Sequence, residues 1–175
     1  MATFVLIHGG GDVGWHWHLL QRELRARGHD SVAPDLPCDD DDATLVDYAD
    51  TVIEAVGDQR NLVVVGHSYG AFTAPVVADR LRAEALVLLA GMIPFPGEAP
   101  ADWWSNTSHE QAVRDQAKLD GGKTGNPDPM VSYYHDVPRA LAEEALGITP
   151  DEIAGGHCVA LGRPKDLADL LAGYA

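Results

Sequence analysis

The feature that most constrains the fold is a five-residue turn, Gly66-His67-Ser68-Tyr69-Gly70, set between a valine-rich run at 61–65 and a helically patterned segment at 71–83. Small residues at both ends of such a turn let the backbone pass sharply from strand to helix, which lifts the Ser68 hydroxyl clear of the sheet. The helix start behind it offers backbone N–H groups and the positive end of a dipole. A chain with this turn in this context must lay helices over a sheet of strands.

The rest of the first half repeats the same alternation. Residues 4–7 form a short apolar run that reads as a strand buried on both faces, and it ends in His8 and three glycines. Apolar residues at 15, 19, 20 and 24 keep helical spacing through a segment 15–27, and Gly28 supplies the stop. A short strand at 31–33 is closed by Pro34, a helix begins near residue 43 and stops at Gly57, and 86–89 is again a strand. The order βαβαβαβ predicts a mostly parallel sheet with helices on both faces. At 175 residues, the chain has the bulk of one domain, 1–175.

Residues 91–137 are rich in Pro, Gly, Trp and Asn, with one helical stretch at 109–119, and this composition reads as a lid or cap. A helical piece at 139–146 follows, then a short last strand at 151–153 and a loop ending in His157. The closing helix has Pro164 in its first turn and apolar residues at 167, 170, 171 and 174.

Two further patterns carry chemistry. In His8-Gly9-Gly10-Gly11, residues without side chains let backbone N–H groups approach a ligand oxygen. The N–H groups of Gly10 and Tyr69 are the candidate donors of an oxyanion hole, each worth about 3 to 4 kcal/mol in enzymes that use one. No P-loop lysine accompanies the loop. His157 sits in a Gly-Gly-His loop ahead of the closing helix. His8 and His67 read as structural parts of their loops. His16 and His18, two apart on a helix, point to different faces and lack a third ligand, so they read as helix-surface or lid-facing residues rather than a metal pair. No metal and no organic cofactor is implied.

Charge narrows the partners. Twelve Lys and Arg against 27 Asp and Glu leave a net charge of −15, which repels nucleic-acid phosphates and anionic lipid surfaces. The run Asp39 to Asp42 reads as a solvated loop before a helix start. No stretch has the length and apolarity of a membrane span, and the first residues lack the features of a secretory leader. With only Cys38 and Cys158 available, a reduced, cytoplasmic setting is the expectation.

Taken in order, the segments Phe-Val-Leu-Ile-His-Gly-Gly-Gly, Gly-His-Ser-Tyr-Gly and Gly-Gly-His-Cys resemble the α/β-hydrolase superfamily, near its small esterases and hydroxynitrile lyases. The stretch 88–98 is similar to that group's passage from sheet to lid, and Arg163-Pro164 with the closing helix is similar to its C-terminal end. The resemblance implies Ser68 as nucleophile, His157 as base, and the N–H groups of Gly10 and Tyr69 as oxyanion donors. It implies a serine hydrolase that acts on small carboxylic esters through an acyl-enzyme. Hydroxynitrile lyases of the group carry Thr where this chain has Gly9 and Lys where it has Cys158, so a cyanohydrin or carbon–carbon lyase is disfavoured.

A second departure concerns the acid. The family places another strand and helix between lid and histidine loop, with the triad Asp after that strand, whereas residues 143–151 here run almost directly from lid to last strand. The unit missing by this comparison is roughly 30 residues or more, about one βαβ crossover. Glu98, after the preceding strand, has the best topology for a substitute acid, ahead of Asp102 and Asp136. The same gap motivates the alternative of a catalytically impaired, hydrolase-like module that binds a small ligand. For the esterase, Trp103, Trp104, Tyr133 and Tyr134 favour an apolar or aromatic substrate. The sequence leaves the oligomeric state open.

Overall fold

The computed structural model describes residues 1–127, 151, 153 and 157–175. The chain divides into two compact units, Met1–Met92 with Pro164–Ala175, and Ile93–Arg163. The segment read as a lid therefore lies almost wholly in the second unit.

The first unit is a parallel sheet with helices on both faces. Its strands are β1 (Thr3–Ile7), β2 (Asp30–Val32), β3 (Leu62–His67) and β4 (Ala85–Leu89), in the spatial order β2-β1-β3-β4. Every residue of β1 and β3 is buried, as expected for central strands covered on both sides. Successive side chains alternate between faces. Val5, Ile7, Leu62 and Val64 form one core with Ala49, Val52 and Val56 of α2 (Leu45–Val56) and Ala74 and Val77 of α3 (Ala74–Leu81). Phe4, Leu6, Val63 and Val65 point the other way and are fully buried, as are Leu20 and Leu24 of α1 (His18–Ala26) and Leu167 and Leu171 of the closing helix Pro164–Leu171. Arg27 joins those two helices: its guanidinium donates to Glu23, to Asp169 at 2.5 and 2.7 Å and to the Lys165 carbonyl at 3.3 Å.

Local chemistry sets the helix starts. The segment read as one helix from 15 opens instead as a 3₁₀ turn, Gly14–Trp17, because the Gly14 N–H is held by Asp35 at 2.7 Å and its Cα faces the Ala33 carbonyl. Helix α2 begins two residues later than expected, where Thr44 and Asp47 form a capping box: the Thr44 N–H donates to the Asp47 carboxylate at 2.7 Å, and the Asp47 N–H donates to Thr44 Oγ1. The helix expected over 71–83 forms as α3, Ala74–Leu81, with Pro75 in its first turn, and a 3₁₀ turn, Ser68–Ala71, precedes it.

Of the strand expected at 151–153, Asp151 and Ile153 are described and neither lies in a strand, and among the described residues the sheet ends at β4. The helix expected at 139–146 lies outside the described residues, as do Tyr133, Tyr134 and Asp136.

In the second unit, α4 (Trp103–Asn106) and α5 (His109–Leu119) are followed by the short helix Val159–Gly162, and α5 has the bounds its spacing predicts. Trp103 is buried, and its indole N–H donates to the Ile93 carbonyl at 3.0 Å. No helix among the described residues is long and apolar enough to cross a membrane.

Candidate active site

The register of the sheet assembles the site. Ile7 pairs with Gly66, so the glycine loop after β1 and the serine turn after β3 leave the sheet side by side. The helix that follows β1 lies on one face and the helix that follows β3 on the other, and a crevice opens at such a switch point.

At the turn, His67 is extended (φ −97°, ψ 132°) and Ser68 lies in the left-handed region at φ 52°. Holding a residue with a side chain there costs of order 1 kcal/mol or more, and the glycines on either side explain how the strain is sustained. A Cβ on Gly66 would stand 2.6 Å from the Ala74 Cβ, and one on Gly70 would stand 2.5 Å from the His8 carbonyl oxygen. Both positions therefore exclude any side chain. The Ser68 carbonyl accepts from the Met92 N–H at 3.0 Å, tying the turn to the chain beyond β4.

The glycine loop runs directly past this turn. A Cβ on Gly9 would lie 3.1 Å from the Ser68 Cβ, and one on Gly10 would lie 3.6 Å from the Tyr69 Cβ. Neither the Gly10 N–H nor the Tyr69 N–H makes a hydrogen bond among the described residues. His8, fully buried, anchors the loop: its Nδ1–H donates to the Gly9 carbonyl at 2.9 Å while its Nε2 accepts from the Leu36 N–H at 3.1 Å. These two partners assign one neutral tautomer and agree with a structural role. A cleft of about 150 Å³ opens against the loop, with Gly10, Tyr69, Leu36, Cys38, Tyr48 and Thr73 in its wall. Burial, and next its hydrogen bond with Cys38, push the Tyr48 hydroxyl up to about 12.

His16 departs from its expected place. It is 2% exposed rather than on a helix surface, because the 3₁₀ turn at Gly14–Trp17 directs it and Trp17 inward. Its Nδ1 lies 2.6 Å from the Asp12 carboxylate, and its ring stacks on His67 with centroids 5.0 Å apart and planes 17° from parallel. Burial lowers the pKa of His16 below the usual histidine value, against the opposing pull of Asp12. The four-residue spacing from Asp12 to His16 was the signal for this pair. His18 keeps to the surface, stacked on Trp15 at 4.0 Å. No group of three metal-ligating side chains gathers among the described residues.

The structure thus brings Ser68, Gly10 and Tyr69 together in the first unit. His157, in the turn before Val159–Gly162 and partly buried, belongs to the second, as do Glu98 and Asp102. The Glu98 carboxylate accepts from the Phe95 N–H at 3.0 Å and from the Asn106 side-chain amide at 2.8 Å, bracing the turn at 95–98 against α4. Asp102 precedes α4, where its carbonyl accepts from the Ser105 hydroxyl at 2.9 Å.

Known proteins share this framework. Residues 4–150 match the alpha/beta hydrolase family. Norfluorocurarine synthase 1 of Strychnos nux-vomica is 30% identical over 165 residues, covering 86% of this chain and 62% of that protein. Putative methylesterase 19 of Arabidopsis thaliana is 25% identical over 162 residues, covering 85% of this chain and 62% of that protein. The chain therefore spans less than two thirds of the length of these relatives. The crystal structure of polyneuridine aldehyde esterase superposes with a TM-score of 0.68 at 18% identity, covering 99% of this chain and 98% of that one, a likeness of fold.

Proposed function

The chain belongs to the alpha/beta hydrolase family, and from that premise we propose that it is a serine hydrolase cleaving small carboxylic esters through an acyl-enzyme on Ser68. The observation that carries this reading is the turn itself: Ser68 at φ 52°, between two glycines that exclude side chains, with the backbone of Gly9 and Gly10 passing alongside. In this mechanism the Ser68 hydroxyl attacks the ester carbonyl and His157 takes its proton. The Gly10 and Tyr69 N–H groups, which make no hydrogen bond among the described residues, receive the developing oxyanion. His157 then protonates the leaving alcohol, and water, activated by the same imidazole, releases the acyl group.

The acid is the weak member of this set. The reading that a strand-helix unit, with its carboxylate, is absent rests on the sequence, where residues 143–151 leave no room for it between lid and histidine loop. Glu98 is the substitute we propose, and it would have to orient His157 while keeping its bonds to Phe95 and Asn106. Without any acid, turnover falls by about 10⁴, or ~5.5 kcal/mol, and nucleophile, base and oxyanion donors still support slow hydrolysis. The second reading, a ligand-binding module without turnover, is favoured by the same gap. A lyase is disfavoured because the Thr and Lys that hydroxynitrile lyases of the group carry are replaced here by Gly9 and Cys158.

Hydrolysis of 4-nitrophenyl acetate by the purified chain, beside Ser68→Ala, tests the proposal. Turnover that disappears in the variant supports it; equal rates in two folded proteins would end it and leave the binding module.

A further inference from the structure

The Asp12–His16 pair has no part in the chemistry above, yet it packs directly beneath the serine turn. Resting on the reading of Ser68 as nucleophile, we propose that Asp12 and His16 are positioning residues for Ser68 and act through His67.

The contacts form a continuous chain. One Asp12 carboxylate oxygen accepts from the Val13 N–H at 3.0 Å, and the other accepts from His16 Nδ1–H at 2.6 Å. The carboxylate is thereby pinned to its own loop and in turn fixes the tautomer and plane of the His16 ring. That ring lies nearly parallel to His67, while Trp17 meets both imidazoles edge-on, at 5.1 Å from His16 and 5.9 Å from His67. His16, Trp17 and His67 are at most 2% exposed, so no solvent-filled space is left for a ring to turn into. His67 Nδ1 is also 3.3 Å from the position a Cβ on Gly9 would take. The His67 side chain therefore packs against the glycine loop as well as the His16 and Trp17 rings. Its backbone is the last extended residue before Ser68 enters the left-handed region. A ring that cannot rotate fixes the Cα–Cβ direction of His67, and with it the departure angle of the turn. The segment 8–17 serves the site twice, presenting bare backbone at its start and clamping the turn from below at its end.

The test uses the full chain carrying Asp12→Ala and Asp12→Asn, each shown to be folded by its urea midpoint. With 4-nitrophenyl acetate, Asp12→Ala is expected to lower kcat by about 10- to 100-fold, the range associated with a misplacement approaching 1 Å. KM should stay within about twofold, since no substrate contact is removed. Asp12→Asn keeps an oxygen that accepts from Nδ1–H and should recover most of the loss. The backbone amide NMR shifts of residues 66–70 should move in Asp12→Ala and return in Asp12→Asn. Wild-type kcat and wild-type shifts in folded Asp12→Ala would overturn the proposal, as would a loss that Asp12→Asn does not recover. If the parent protein shows no Ser68-dependent turnover, the nucleophile reading fails by itself, and the amide shifts still decide whether Asp12 sets the geometry of the turn.

Discussion

Replacing Gly70 by Ala tests the close approach of the two motif loops most directly. The new Cβ would lie 2.5 Å from the His8 carbonyl oxygen and 2.8 Å from the Ile7 carbonyl oxygen, both backbone atoms that no side-chain rotation can move away. A tolerable C···O contact is about 3.3 Å, so the loops must part by roughly 0.8 Å. Overpacking of this kind costs about 1–3 kcal/mol. With a urea m-value of ~2 kcal/mol/M, the unfolding midpoint should fall by roughly 0.5–1.5 M. The same separation moves Gly10 away from Tyr69, and a shift approaching 1 Å in a catalytic constellation costs about 10²-fold in rate. Gly10→Ala is the internal control: its Cβ would make ordinary contact with Tyr69 at 3.6 Å, at negative φ, and should leave the midpoint nearly unchanged. The assays are urea denaturation followed by tryptophan fluorescence and Ser68-dependent ester hydrolysis. A Gly70→Ala protein with the parent midpoint and rate would refute the argument that the two loops are in backbone contact.

Two other perturbations follow from the packing. His16 has a folded-state pKa below its unfolded value, so the unfolded chain binds the proton more readily; stability is full above the ordinary histidine value near 6.5 and declines as pH falls below it, down to the folded pKa. His16→Phe removes that proton and should flatten this part of a Tm-against-pH curve; an unchanged curve would show that His16 is not the group responsible. Arg27→Ala should loosen the closing helix by about 1 kcal/mol, a modest value because Asp169 is largely exposed. Faster amide exchange confined to residues 164–171 would report it, and unaltered exchange would show that apolar packing alone holds that helix.

Much of this protein was legible in its sequence, because the signals concerned are local. The apolar runs that became β1 and β3, the 3.6-residue spacing of α1, α2 and α5, and the glycines at the serine turn each follow from steric and hydrophobic preferences acting within a few residues. Alternation of those elements was enough to predict a parallel sheet covered on both faces. Tertiary structure decided what depends on partners distant in the chain. Gly14 meets Ala33 and Asp35 across the fold, and that contact, invisible in a helical pattern, turned a predicted helix start into a 3₁₀ turn and buried His16. The pairing of Ile7 with Gly66 set Gly9 and Gly10 beside Ser68 and Tyr69, a juxtaposition that motif order suggests but only strand register can produce.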